Sequence, residues 1–262
     1  MIGQTARWLL PVAVFAALLG FWEWAVAFYA IKSFVLPAPS AVGATLISEL
    51  PSLLAATWVT LRLTLISFAL ALVIGVAVAM AFASSTLVER ALYPYAVILQ
   101  VTPIVSIAPL IIIWVGIDNV QTAILILATI VAVFPILSAV TQGLKSADRN
   151  LKELFRIYGA NGLQRLTLLQ APTALPYLAA GAKIAGGLAL VGTVVAEFVA
   201  GTGSSAGLAW RIVEAGNRLQ IAKMFAALTL LALLGVLIFA ALSFASWYAL
   251  RNWHESEAGD PE

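Results

Sequence analysis

Six long apolar stretches dominate the chain, and no water-soluble fold can absorb them. They run roughly Trp8–Tyr29, Trp58–Ala83, Ala91–Val115, Val120–Gln142, Leu175–Val199 and Ala222–Leu250. Each approaches or exceeds the ~20 residues that a helix needs to cross a hydrocarbon core of ~30 Å. Of the 262 residues, 63% are hydrophobic and 10% charged, whereas soluble domains carry about 25% charged residues. The solvent for such a chain is lipid, and the expected fold class is an all-α polytopic membrane protein with about six transmembrane helices. The second stretch would be about 39 Å long as a helix, so it must tilt or project. The first could be taken for a signal peptide, since Ala25-Val26-Ala27 has the form of a cleavage site. Glu23 between Trp22 and Trp24 is a poor approach to a peptidase, and we read this stretch as a span.

Several function classes drop out at once. The net charge is +2, too small for nucleic acid as a partner. There is no cysteine, and the one histidine is His254 in the polar tail. Thiolate and histidine metal sites are therefore excluded. No Gly-x-x-x-x-Gly-Lys-Ser/Thr run occurs, so the chain itself is not expected to bind ATP. No nucleophile–base constellation can be assembled, so we expect no enzyme and no cofactor.

Lysine and arginine set the orientation. With the N-terminus inside, the inner segments hold Arg7, Arg90, Lys145, Arg149, Lys152, Arg156, Arg165 and Arg251. The outer ones hold Lys32, Arg211, Arg218 and Lys223. That excess places both termini in the cytoplasm. The expected organisation is a first span and an outer surface helix over residues 1–56, a transmembrane core over 57–250 and a tail over 251–262. Ser40, after Pro37-Ala38-Pro39, is read as the N-cap of the surface helix, which ends near Ala56. Gly201 to Gly207 is a flexible loop, followed by an interfacial helix with Leu208, Ile212, Ala215 and Leu219 on one face. The tail from Glu255 is acidic and expected to be disordered. There is no convincing internal repeat.

The charged island from Lys145 to Pro172 is the exception among the apolar runs. Between Lys145 and Arg165 it holds five positive and two negative charges. Leu151 to Tyr158 reads as a helix with Leu151, Leu154, Phe155 and Tyr158 on one face, and Gly159 as its left-handed terminus. A second short helix, about Leu163–Leu169, is expected to stop before Pro172. A positive-inside loop needs basic residues, but it needs neither that apolar face nor the glycine and proline at its breaks.

The spacing Glu153, Gly159, Leu169, Pro172 resembles the cytoplasmic signature of permease subunits of binding-protein-dependent ABC importers. That signature reads Glu-Ala-Ala, three residues, Gly, nine residues, Ile, one residue, Leu-Pro. Leu154 and Phe155 stand where that family favours alanine, and Ala171 where it favours leucine. Other stretches are similar to the nitrate/sulfonate/bicarbonate/taurine branch and its vitamin-precursor relatives. These are Thr102-Pro103-Ile104 with Ala108-Pro109-Leu110, Ile113-Trp114-Val115-Gly116-Ile117, Phe134-Pro135-Ile136, and Ala196-Glu197-Phe198 with Gly201-Thr202-Gly203. The match covers about residues 40–250.

The resemblance implies the type I permease architecture in a bacterial plasma membrane, with residues 57–250 as the permease core and a pair of permeases forming the path. It also implies an ABC ATPase subunit that binds ATP, and an extracytoplasmic solute-binding protein. Residues 145–172 become the coupling loop, with Glu153 and Gly159 shaping it, Phe155 and Arg156 as contact candidates, and Leu169 and Pro172 completing it. The solute would be a sulfonate-, nitrate- or taurine-like anion, or an aminopyrimidine- or riboflavin-like vitamin precursor. The alternative is an ion-coupled secondary transporter, which would carry solute without any ATPase.

Candidates for the path come from polar and helix-breaking residues inside spans. Pro94, Pro103 and Pro109 each remove a backbone donor; they either kink one helix or open a break that lines the path, with Pro103 and Pro109 as the candidates. Thr57, Thr60, Thr64 and Ser67 form a hydroxyl stripe that either bonds back to its own helix or lines the path, with Thr64 as the candidate. Glu197 caps a helix end or faces the path. Lys183 snorkels to the headgroups or meets an anionic solute. Glu23, flanked by tryptophans, is read as interfacial and structural. Ala71, Gly75, Ala79 and Ala83 make a small-residue ridge for close helix packing.

Overall fold

A computed structural model describes residues 4–200 and 207–251, with side chains described except at 4–8 and 117. The loop over 201–206 and the tail from 252, including His254 and Glu255, lie outside the described residues. Among the described residues there is no strand. The helices run α1 (Gln4–Phe28), α2 (Pro39–Ser48), α3 (Leu50–Ser84), α4 (Thr86–Val101), α5 (Ile104–Val115) and α6 (Val120–Lys145). Then come α7 (Arg149–Ile157), α8 (Gly162–Arg165), a π turn over Leu166–Gln170, α9 (Ala171–Ala200), α10 (Leu208–Asn217) and α11 (Ile221–Leu250). Five helical stretches are long and apolar enough to cross a membrane, or six if the bent pair α4 and α5 counts as one span.

Three sequence expectations are corrected. The surface helix stops at Ser48 rather than near Ala56, and residues 50–57 belong to α3, which is 35 residues long. Pro51 explains this. Proline cannot continue a helix but is tolerated in a first turn, so the chain restarts there. Ser40 is not the cap of α2. Ala38 holds that place with Pro39 as the first helical residue, and Ser40 instead donates its amide (3.0 Å) and hydroxyl (2.7 Å) to the Glu23 carboxylate. Glu23 thus ties α1 to α2. Third, the stretch 91–115 is not one kinked helix: α4 and α5 meet at 100°.

The chain divides into two compact units, Met1–Trp58 with Ala206–Ala232, and Val59–Ser205 with Leu233–Glu262. In the first, the Trp22 and Phe225 rings lie 5.6 Å apart, and Lys223 pairs with Glu49 at 2.9 Å. That bond and the Ser52 hydroxyl hold the Glu49 carboxyl below its usual pKa. On α10, Glu214 bridges Arg211 and Arg218.

In the second unit, α6 and α9 pack face to face through small residues. A Cβ on Gly192 would come within 2.9 Å of Ala128 Cα, and one on Gly75 within 2.8 Å of Ile136 Cγ2. The predicted ridge is therefore a packing surface of α3 against α6, with Ala71 and Ala79 fully buried beside Gly75. In lipid this close approach replaces the hydrophobic driving force available in water.

Candidate functional site

The island folds as a helical hairpin in which local hydrogen bonds account for each change of direction. The Asp148 carboxylate caps α7, accepting from the amides of Asn150 (2.7 Å) and Leu151 (3.1 Å). At the other end Gly159 takes φ +71°. Its N–H reaches the Arg156 carbonyl (3.1 Å) and the Ala160 N–H the Phe155 carbonyl (2.9 Å). This is the Schellman pattern, which needs a left-handed residue at that point. Asn161 and Gln164 then form a reciprocal capping box that starts α8.

The second limb does not stop before Pro172. It runs through the π turn into α9, giving one helical stretch over Gly162–Ala200. Proline has no N–H to donate, and a widened turn of i→i+5 bonds is a common way to carry a helix past such a gap.

The hairpin is fastened to its neighbours. Gln170 donates to the Leu144 carbonyl at 3.1 Å and Lys152 to the Lys145 carbonyl at 2.9 Å, both on the last turn of α6. Lys145 also pairs with Glu89 in the first turn of α4.

The surface of the hairpin is apolar where a simple charged loop would be polar. Ile157 is 79% and Tyr158 82% exposed. Leu151, Leu154, Leu163 and Leu168 are exposed as well. Leu154, Phe155, Tyr158, Ala160, Gln164 and Leu168 line a cavity of about 320 Å³ between the two limbs. Arg165 has a buried Nε without a hydrogen-bond partner among the described residues.

The residues expected for coupling thus separate. Phe155 lines the groove. Arg156 is exposed on α7, and Glu153 sits on the same helix in a loose 3.4 Å pair with Arg149. Gly159 sets the turn, Leu169 is buried in the core, and Pro172 lies in the first turn of α9. Sequence reasoning missed Ile157, Leu163 and Leu168. Their signal was an excess of large apolar residues in a charged segment.

The break between α4 and α5 has the opposite character. Thr102 donates both its N–H (3.0 Å) and its hydroxyl (2.7 Å) to the Ile98 carbonyl, closing α4. Pro103 then opens α5, with Ser106 N–H bonded back to its carbonyl at 2.9 Å. Pro94 and Pro109 lie inside continuous helices. Pro103 and Pro109 are both exposed.

The hydroxyl stripe on α3 is used mainly between helices. Thr57 bonds back to Leu53 at 2.8 Å, Thr60 donates to Glu197 at 3.0 Å and Ser67 to the Leu125 carbonyl at 3.3 Å. Thr64 is fully buried, and its hydroxyl has no hydrogen-bond partner among the described residues. It lines an apolar cavity of about 300 Å³ with Phe68, Gly186 and, from α11, Leu237 and Ile238. Glu197 is 1% exposed, and its carboxylate accepts from Thr60 across the contact of α3 with α9.

A family described as binding-protein-dependent transport system inner membrane component matches residues 71–251, the stretch that holds α4 to α11. A probable ABC transporter permease protein of Haemophilus influenzae is 29% identical over 238 residues, 91% of this chain and 95% of that one. The riboflavin transport system permease protein of Chloroflexus aurantiacus is 35% identical over 249 residues, covering 94% and 90%. The formylaminopyrimidine transport permease protein of Halalkalibacterium halodurans is 34% identical over 184 residues, covering 70% and 71%. The match spans the hairpin, the broken span and the packed pair α6 and α9 together, and the chain belongs to this family of inner membrane components: it is a multi-pass permease subunit of an ABC importer, and not an enzyme.

Proposed function

We propose that the hairpin over 145–172 is the seat of the ATPase subunit and the lever through which ATP binding moves the spans. The observation that carries this is the exposed apolar groove of Leu154, Phe155, Tyr158 and Leu168 on an otherwise basic hairpin. Exposed apolar patches of this kind mark interaction sites. Both termini and the hairpin are on the cytoplasmic side, as the lysine and arginine distribution favours. Two copies of the chain form the path, and a binding protein delivers solute from the other side.

The mechanics follow from the fastenings. The second limb is continuous with α9, and the first is bonded to the end of α6. A displacement of the groove therefore acts on the closely packed α6–α9 pair as a body. The Lys145–Glu89 pair carries it on to α4, whose far end is the Pro103 break. Pro103 and Pro109 flank the path; Glu197, bonded to Thr60 here, and the buried Thr64 hydroxyl are interior polar groups whose surroundings change as α3 and α9 shift. ATP can drive this cycle only if the ATPase contacts the hairpin differently in its two states.

The solute is a small organic molecule of the kinds named for the relatives or for the sulfonate branch. The test is the double variant Ile157→Asp with Tyr158→Asp. It should insert and remain stable in membranes, yet lose the ATPase subunit in pull-downs. Retention of that subunit at the wild-type level would refute the assignment.

A further inference from the structure

The α4–α5 break leaves polar groups that nothing among the described residues satisfies. The carbonyls of Leu99, Gln100 and Val101 accept no backbone hydrogen bond there, because Pro103 lacks an N–H and the N–H groups of Ile104 and Val105 point into no bond. The side chains of Gln100 and Ser106 are exposed on either side of the break, and neither makes a hydrogen bond among the described residues. Val101 lies about 16 Å along α4 from Arg90 at ~1.5 Å per residue, within a bent pair apolar enough to count as one membrane segment. Unsatisfied backbone inside the hydrocarbon is tolerated only against protein or a water-filled cavity. Beside the break, Gln100 shares a cavity of about 210 Å³ with Ile74, Leu99, Val133, Phe134 and Leu137.

We propose that this break is a solute-contact station inside the membrane segment, and that it takes an uncharged, planar heterocycle rich in N–H donors. The proposal rests on the path reading above and adds Gln100, Ser106 and a solute class to it. No lysine, arginine, aspartate or glutamate lies between Arg90 and Asp118, and none from α3 or α6 lines the cavity beside the break, so an ion there would shed hydration without a countercharge in the cavity wall. The free carbonyls outnumber the free N–H groups, which suits a ligand offering donors, and the Gln100 amide can match either kind of edge. Phe134, whose ring packs on Tyr93 with centroids 6.3 Å apart, gives the cavity an aromatic wall. The cavity is smaller than the ~300–1,000 Å³ of drug-sized sites, which favours a single ring over a fused system.

The chain has no cysteine, so single cysteines report cleanly. Gln100→Cys, the near-isosteric Ser106→Cys and the control Val73→Cys, whose position on α3 is apolar and 68% exposed, are placed in vesicles holding the assembled complex. A membrane-impermeant thiol reagent should label positions 100 and 106 at least tenfold faster than 73, because the thiolate needs water. Millimolar formylaminopyrimidine should slow labelling at 100 severalfold, and taurine should leave it unchanged. Fast labelling that no compound slows, or that taurine slows instead, overturns the solute class while the path reading stands. Labelling at 100 and 106 no faster than at 73 overturns the station and the path reading together.

Discussion

The hairpin and the broken span both interrupt helical order with proline or glycine, and they treat the interrupted backbone in opposite ways. In the hairpin, Asp148, the Gly159 turn and the Asn161–Gln164 box satisfy the groups freed at its caps and turn. At Pro103 the satisfaction is partial: Thr102 and Ser106 reach the Ile98 and Pro103 carbonyls, while the carbonyls of Leu99, Gln100 and Val101 accept no backbone hydrogen bond among the described residues. A satisfied break is stiff and can transmit displacement. An unsatisfied one inside a membrane needs protein, water or solute against it. On the function proposed above, the first region transmits force and the second meets solute.

The comparison can be broken most severely at the hairpin. Glu153→Lys should abolish uptake. The exposed Arg149–Glu153 pair is worth only about 0.3–0.5 kcal/mol, so thermal stability in detergent should hardly move. A loss of uptake matched by a loss of stability would mean that the hairpin is a structural element and no more. Gly159→Val comes next. It forces a β-branched side chain into φ +71°, a left-handed conformation that costs about 1–2 kcal/mol. Open space surrounds that Cβ position, so no packing clash contributes. Uptake should fall about tenfold, and Gly159→Asn, which tolerates that conformation, should recover most of it.

Pro103→Ala sharpens the contrast from the other side. It restores an N–H that can bond the Leu99 carbonyl and so favours a straighter α4–α5. Uptake should drop severalfold while pull-down of the ATPase stays at the wild-type level. A parallel loss of the ATPase would merge the two regions into one function. The smallest effect is expected from Asp148→Ala, which removes a helix cap worth about 1 kcal/mol. It should loosen α7 and reduce uptake about twofold, read as faster amide exchange over Arg149–Ile157.

Much of the hairpin was legible in the sequence because its signals are local. Gly159 after an amphipathic run declares a helix end, and the apolar face of Leu154, Phe155 and Tyr158 declares a contact. The π turn was not legible: Pro172 reads as a stop, and nothing local in the sequence announces that a widened turn over Leu166–Gln170 carries the helix past it. The sharp break was half legible. Pro94, Pro103 and Pro109 look alike in sequence, yet the first and last are absorbed within continuous helices. Gln100 went unnoticed inside an apolar run because its meaning comes from the unpaired backbone beside it. Ser40 was misassigned because its true partner, Glu23, lies in a different helix.

The central claim is that the groove between the hairpin limbs holds the ATPase subunit. Its most direct test is a single Tyr158→Cys variant in the cysteine-free chain, carrying a short photo-activatable cross-linker and irradiated in native membranes. The account predicts one dominant adduct, with a protein that binds ATP, and an adduct yield that changes when ATP is trapped. An adduct only with lipid or with a second copy of this chain, or labelling of Tyr158→Cys from the extracytoplasmic face, would contradict it.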